Sequence, residues 1–323
     1  MQIYFLLTES CNLNCSMCIR GRQQGASMDI GALVRVLKEN DLAAHDLVVT
    51  GGEPSLHGNY TEIVHMMAAK AHTVSVTSNG TLDLRLEELM GLDNLSFQIS
   101  LDSDRTAHNG IRGKNAFERT WTTLEKLDAM GMKYSVASVA SRKNQEGILR
   151  LLPELKALKN MRHLSVSYEM PFGSAAGLEG IMTAEEWNSF VDSLIAKAEF
   201  RLKVKKIFAF DLYDGNKAGF EGRRIINCGS GIDKIYVYPD FKVYPCTCLT
   251  DFLVGDLANQ SLFEILDGEP IKVFTRYKLD AGSACQGCRY KSLCNGGCIG
   301  MSYHYLGKLG MGDMRCPKLF EEK

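Results

Sequence analysis

Three cysteines at Cys11-x3-Cys15-x2-Cys18, directly after the apolar run Ile3-Tyr4-Phe5-Leu6-Leu7, constrain this chain more than any other stretch. The run reads as a buried strand, so the cysteines lie on the loop leaving its C-terminal end. Closely spaced cysteines in a reducing compartment point to metal or redox chemistry rather than disulfides. Structural zinc takes four protein ligands, normally as two separated pairs. An iron–sulfur cluster is held by thiolates, and four would close a 4Fe–4S cluster. Three leave one iron without a protein ligand, an open position of the kind catalytic metals use to bind substrate or cofactor.

The eleven cysteines are unevenly distributed: three precede residue 20, none falls between 19 and 227, and eight run from Cys228 to Cys316. Two separated metal-binding regions follow. A net charge of −1 over 323 residues leaves no electrostatic footprint for nucleic acid or an anionic membrane. The N-terminal apolar run is too short for a signal sequence and no stretch approaches a membrane span, so the expected location is cytoplasmic.

The first two-thirds alternates strand-like and helix-like segments. Strands are expected at Gln2–Leu7, Leu47–Thr50, Thr73–Thr77, Leu95–Leu101, Tyr134–Val139 and Leu164–Tyr168. Helices are expected at Met28–Glu39, Tyr60–Lys70, Leu84–Met90, Phe117–Met130 and Gln145–Leu158, with a further one at Thr183–Phe200 opened by a Thr183/Glu186 capping box. Such alternation argues βαβ units and a parallel sheet, and six units are too few for a closed eight-stranded barrel. Asp214–Lys217 and Gly219–Arg224 read as loops.

The CxxxCxxC spacing after the first strand resembles the signature of the radical SAM (S-adenosylmethionine) family. That resemblance implies an α/β fold, a partial (β/α)6 TIM-like barrel. It also implies a 4Fe–4S cluster on Cys11, Cys15 and Cys18 whose open iron chelates SAM and cleaves it to a 5′-deoxyadenosyl radical. Met17 stands where the family usually has an aromatic residue. Gly51-Gly52-Glu53, after the second strand, resembles the family's GGE motif, whose backbone and acid hold the SAM amino group. Two glycines also let backbone approach a ligand closely. Ser100-Leu101-Asp102, His108-Asn109, Arg112-Gly113 and Phe117 resemble a run common in radical SAM peptide-modifying enzymes, with Asn109 where Asp is usual. By that resemblance Ser100 would bond the SAM ribose and Arg112 its carboxylate, a partner suited to bidentate donation. Asp102 would face the ribose or cap its turn, and His108 would support the loop. Asn79-Gly80 would border the cofactor, and Glu169-Met170 would line the adenine through backbone atoms.

The C-terminal run Cys285-x2-Cys288-x5-Cys294-x3-Cys298-x17-Cys316 follows Cys228 and Tyr236-Val-Tyr-Pro-Asp-Phe-Lys-Val-Tyr-Pro-Cys246. Alternation within that second stretch predicts a hairpin turning at Pro239-Asp240. The segment resembles the SPASM extension of radical SAM enzymes, which carries auxiliary 4Fe–4S clusters. Phe241 occupies a position where that family usually has glycine. The resemblance implies a core at residues 1–205, a linker at 206–225 and a SPASM domain at 226–323, with three 4Fe–4S clusters in all. Cys285, Cys288, Cys294 and Cys316 would fully ligate the distal auxiliary cluster. Cys228, Cys246 and Cys298 would hold the nearer one, its fourth ligand being Cys248, substrate or water, with a free Cys248 thiol the remaining option. Two structural zinc sites are the alternative for these eight cysteines.

SPASM-bearing enzymes mostly modify peptides or proteins, so the expected substrate is a ribosomally made peptide and the expected product an oxidative side-chain crosslink, C–C or thioether. Sulfatase-type maturases usually place an acid directly after the cysteine numbered 246; Thr247 here argues against formylglycine formation. With the barrel starting at residue 2, an N-terminal leader-binding module is expected to be absent: either the leader binds the SPASM surface, or a separate protein delivers it, or no leader exists. An external donor such as flavodoxin or ferredoxin would reduce the first cluster. Tyr303, His304 and Cys248 are candidates for a proton donor or acceptor.

Overall fold

The computed structural model describes residues 1–21, 24–177, 180–211 and 228–319. The two loops expected at Asp214–Lys217 and Gly219–Arg224 lie outside the described residues. Six strands form in chain order: β1 (Gln2–Thr8), β2 (Asp46–Gly51), β3 (Thr73–Ser78), β4 (Leu95–Ser100), β5 (Tyr134–Ala140) and β6 (Met161–Tyr168). Each pairs in parallel with the next, as the partial barrel requires.

Alternation along the strands sets the two faces of this sheet. In β4, Leu95, Phe97 and Ile99 are buried, while Ser96, Gln98 and Ser100 are half-buried. The apolar set packs under the helices. Small polar residues remain for the concave side, where Ser165 and Ser167 of β6 line a cavity. The covering helices are α1 (Ile30–Glu39), α2 (Tyr60–Ala68), α3 (Arg105–Arg112), α4 (Ala116–Ala129), α5 (Gln145–Lys156) and α6 (Ala184–Lys197). The Thr183/Glu186 capping box of α6 forms in both directions. In α4 the expected stripe buries Phe117, Leu124 and Leu127, while Trp121 stays half-buried and donates to Glu125.

Two elements differ from the sequence expectation. The helix expected at Leu84–Met90 shrinks to a 3-10 turn, Leu86–Leu89, entered through Arg85 in the left-handed region at φ 48°. In addition, α3 folds from a stretch expected to be loop, because the Asp104 side chain caps it by accepting from the Ala107 N–H.

The C-terminal segment joins the same sheet. β8 (Lys234–Val237) pairs in parallel with β1, from Gln2 opposite Lys234 to Phe5 opposite Val237. β9 (Lys242–Tyr244) returns antiparallel to β8 and β10 (Gly255–Asp256) extends it. At the other edge, short β7 (Leu202–Lys203) pairs with β6. Among the described residues this makes one sheet of order β10-β9-β8-β1-β2-β3-β4-β5-β6-β7. Beyond it lie α7 (Leu262–Asp267), α8 (Glu269–Thr275), α9 (Lys291–Cys294) and α10 (Ile299–Leu306). Among the described residues no helix is long and apolar enough to cross a membrane.

The hairpin turns at Pro239-Asp240 as expected, and its next residue, Phe241, sits at φ 63°, a conformation suited to glycine. Its ring is nevertheless buried, 5% exposed. Left-handed strain costs about 1–2 kcal/mol, whereas losing a buried phenylalanine costs about 3–5 kcal/mol. Burial therefore outweighs strain, and Phe241→Gly should destabilise the protein by about 1–4 kcal/mol. Thermal unfolding of the anaerobically purified variant measures this; a higher midpoint than wild type would show that backbone strain is the larger effect.

Candidate functional site

All eleven cysteines are unpaired, and Cys11, Cys15 and Cys18 are half-buried. Their loop is tied to several strand ends. Gly52 N–H donates to Thr8 O at 2.7 Å and Glu53 N–H to Ser10 O at 2.8 Å. Ser16 N–H reaches Ile111 O at the end of α3, and Ser174 N–H reaches Cys18 O from the turn after β6. Asn12 donates to Thr81 Oγ1 and accepts from Asn79 Nδ2, which also lies 4.0 Å from Cys11 Sγ.

This packing gives Gly51 and Gly52 a structural task beside the ligand approach expected of them. A Cβ on Gly52 would lie 2.1 Å from Ser10 O, and one on Gly51 would lie 2.4 Å from Thr8 O. The space above both glycines is taken by the backbone entering the cysteine loop. Gly173 does the same on the far side, where a Cβ would lie 2.3 Å from Cys18 O.

Glu53 is 1% exposed. It accepts from Ser55 Oγ and Ser78 Oγ, both at 2.9 Å, and from Asn79 N–H at 2.8 Å. Burial pushes its carboxyl above the ordinary range, against those donors. It therefore clamps the ends of β2 and β3 together. Ser100 stands half-buried at the end of β4. Asp102 neither faces an open surface nor caps a turn. Fully buried, it accepts from Val139 N–H at 3.0 Å and pairs with Arg112 Nε. Burial disfavours the Arg112 charge, but Asp102, Cys15 and Cys11 outweigh it and its pKa is raised. Burial also pushes the Cys15 thiol to about 11, with Arg112 opposing. The guanidinium thus sits beside the cysteine loop, ready for anionic partners.

His108 is buried and its Nδ1 accepts from Asp102 N–H at 3.0 Å, which fixes the tautomer with hydrogen on Nε2. Burial lowers its pKa to about 4, so it is neutral and supports the loop. Asn109 explains its own departure from the aspartate pattern. Its Oδ1 accepts from Phe117 N–H while its Nδ2 donates to Glu118; an aspartate would face Glu118 with like charge.

The C-terminal cysteines form two groups. Cys228, Cys246, Cys248 and Cys298 line one cavity of about 630 Å³ with Lys205, Lys234 and Arg315. Its barrel wall includes Tyr168 and Met170, whose Sδ lies 3.4 Å from Arg315 Nη1. Glu169, next in chain, is raised by burial. Cys285, Cys288, Cys294 and Cys316 do not line this cavity. Burial pushes Cys294 to about 12, and nearby Cys316 and Cys285 add to that rise. Gly312 is needed there, since a Cβ would lie 2.9 Å from Cys285 Sγ.

Sequence reasoning missed the buried Asp313–Arg315 pair at 2.7 Å. Asp313 also accepts from Cys298 N–H at 2.9 Å, and Arg315 lies 4.9 Å above the Tyr168 ring. The pair thus joins a C-terminal cysteine to the end of β6. An acid and a base two residues apart, directly before Cys316, were the available signal.

A second cleft of about 780 Å³ adjoins the cavity and shares Ile19, Thr247 and Cys248 with it. Arg20, Tyr238, Phe172, His304 and Tyr305 also line it. The His304 ring is held through Nε2 by Cys248 O. Tyr303 lines neither space; its hydroxyl donates to Asp251 at 2.9 Å.

Residues 5–151 match the family model described as the Radical SAM superfamily, and residues 228–289 match SPASM, described as an iron-sulfur cluster-binding domain. The sporulation killing factor maturation protein SkfB of Bacillus subtilis (strain 168) is 32% identical over 148 residues, covering 44% of this chain and 36% of SkfB. The antilisterial bacteriocin subtilosin biosynthesis protein AlbA of the same strain is 27% identical over 280 residues, covering 83% of this chain and 59% of AlbA. The chain thus spans less than two thirds of the length of either relative. In structure it resembles Streptococcus suis SuiB bound to precursor peptide SuiA, with a TM-score of 0.80 at 15% identity, over 98% of this chain and 75% of SuiB. That likeness is one of fold. The residue types present are those such groups require: three unpaired thiols near a buried guanidinium in one region, and four thiols lining one cavity with three cations in the other.

Gly52→Ala should displace the Thr8–Ser10 backbone and lower the iron retained after anaerobic reconstitution. Gly58→Ala, where nothing lies within 4 Å of an added Cβ, should retain wild-type iron. Equal iron in both variants would show that the cysteine loop does not depend on this close approach.

Proposed function

The chain is a radical SAM protein with a SPASM domain, and from that premise we propose that it modifies a ribosomally made peptide, forming an oxidative crosslink between side chains, C–C or thioether. The core is taken as residues 1–205 and the SPASM domain as 226–323. Cys11, Cys15 and Cys18 hold the first 4Fe–4S cluster. Two auxiliary clusters sit on Cys228, Cys246 and Cys298 and on Cys285, Cys288, Cys294 and Cys316. When bound, the first cluster and SAM supply the 5′-deoxyadenosyl radical that abstracts hydrogen from the substrate.

The chain's own residues orient and shield. Arg112 offers its remaining guanidinium donors to the SAM carboxylate, and Asp102 holds it there against the cost of burying its charge. Ser100, at the end of β4, meets the ribose. Gly51 and Gly52 present backbone to the amino group, and Glu53 acts through them by fixing the ends of β2 and β3. Met170 borders the adenine. His304 keeps only Nδ1 free to accept a proton, because Nε2 is bound to Cys248 O.

One observation carries the reading: a single cleft borders both the N-terminal cysteine loop, at Ile19 and Arg20, and the C-terminal cysteine region, at Thr247 and Cys248. A peptide lying there reaches both. The aromatic and charged lining, with the Arg20–Glu9 pair at 2.9 Å, suits a polar chain with bulky side chains. SkfB, a sporulation killing factor maturation protein, and AlbA, a bacteriocin biosynthesis protein, are relatives that agree with a peptide substrate. Cytoplasmic location and an external electron donor of the flavodoxin or ferredoxin kind belong to the same proposal.

The test is an anaerobic reaction of reconstituted protein with SAM, reductant and a short peptide encoded beside it, reading 5′-deoxyadenosine and intact peptide mass together. Loss of two hydrogens from the peptide, with deoxyadenosine in proportion, is the expected result. Unchanged mass with deuterium taken up from heavy water would replace crosslinking by epimerisation, and deoxyadenosine with an untouched peptide would remove that substrate. Joint substitution of Cys11, Cys15 and Cys18 by Ala should abolish SAM cleavage while leaving auxiliary iron. Continued cleavage would overturn the assignment of the triad.

A further inference from the structure

Cys248 is the one cysteine of the C-terminal region that the seven-cysteine SPASM pattern leaves without a role. It lines the same cavity as Cys228, Cys246 and Cys298. The turn closed by Leu249 N–H on Cys246 O brings the two ends of Cys246-x-Cys248 together. Cys248 N–H donates to Cys246 Sγ at 3.4 Å. The Cys248 backbone is also fixed on its other side, where its carbonyl accepts from His304 Nε2. Gly300 leaves the space in which the remaining thiol approaches: a Cβ there would lie 3.4 Å from Cys248 Cβ and 3.7 Å from Cys298 Sγ.

The surrounding charge fits four thiolates better than a spare neutral thiol. Lys234, Lys205 and Arg315 line this one cavity, and buried cations need anionic partners. Asp313 is matched to Arg315 and also carries the Cys298 N–H, so the two lysines face the cysteines.

We propose that Cys248 is the fourth protein ligand of the nearer auxiliary cluster, so that this cluster is closed by Cys228, Cys246, Cys248 and Cys298 and has no iron open to substrate. The inference rests on the reading of this segment as an iron–sulfur site. It has a consequence for the cleft. A peptide there meets Thr247 and Cys248, which belong to both spaces, and therefore meets the protein wall of the cluster. A peptide thiol is then not required as a ligand, and substrates without cysteine remain admissible.

The experiment uses the full chain with Cys11, Cys15 and Cys18 replaced by Ala, so that only auxiliary iron is read. Cys248→Ala and Cys248→Ser are added to that parent, with Thr247→Ala as the control in the same loop. Iron and sulfide content, Mössbauer spectra and the EPR of the reduced protein are recorded with and without 2-mercaptoethanol. The parent and Thr247→Ala should be indifferent to the added thiol. Cys248→Ala should lose iron or develop a distinct iron site that responds to the thiol. Cys248→Ser should retain the cluster with a shifted signal, since a hydroxyl oxygen replaces the sulfur. Unchanged iron and spectra in Cys248→Ala, or a parent that itself responds to the thiol, would overturn the fourth-ligand assignment and leave the SPASM reading intact. A parent without iron or sulfide would overturn both.

Discussion

The parallel pairing of β8 on β1 is the constraint on which the arrangement of this protein depends. β1 ends in the loop that presents Cys11, and β8 opens the hairpin that leads to Cys246 and Cys248. Backbone ladders are directional and set in register by the faces they bury. Two cysteine regions more than two hundred residues apart in sequence are thereby hung on neighbouring strands. The Tyr4–Tyr236 stack, 4.5 Å between centroids, locks the same pair of strands through side chains.

The barrel does not close, and the gap has a use. The cavity of the C-terminal cysteines is walled on one side by β6 and β7, through Ser165, Ser167 and Lys203, and on the other by β8, through Lys234 and Tyr236. These are the two sides of the sheet left unpaired by a six-unit barrel. The cysteine-rich segment lines that opening together with the serines of β6, leaving a cavity of about 630 Å³ between them.

Around the first cysteine loop, precision comes from buried groups tied to the backbone of neighbouring elements. Glu53, Asp102 and His108 are all buried and all hydrogen-bonded to backbone of neighbouring elements. Each would be costly to bury unpaired. Through these partners, His108 by its Nδ1 alone, the ends of β2, β3, β4 and β5 are held in fixed relation. Gly51, Gly52 and Gly173 complete this by letting backbone cross backbone at distances a side chain would forbid. Asn109 and Phe241 show the converse. At each, a local contact explains a residue that departs from the family pattern: a donor to Glu118 in one case, a buried ring in the other.

The sequence alone carried the alternation of strands and helices, the cysteine spacings, the Thr183 capping box and the turn at Pro239-Asp240, because these are local signals: apolar period, ligand spacing and cap chemistry within a few residues. It missed α3, whose cap by Asp104 was hidden inside a polar motif, and overextended Leu84–Met90, where Arg85 takes a left-handed conformation that composition does not announce. Only the tertiary structure decided which side chains face one another. It paired Asp102 with Arg112, turned Glu53 inward, sent Tyr303 to Asp251 and brought Cys248 to the cavity of Cys228 and Cys298. Those outcomes depend on long-range strand pairing and on the cost of burying charge. Neither is written in the spacing of neighbouring residues.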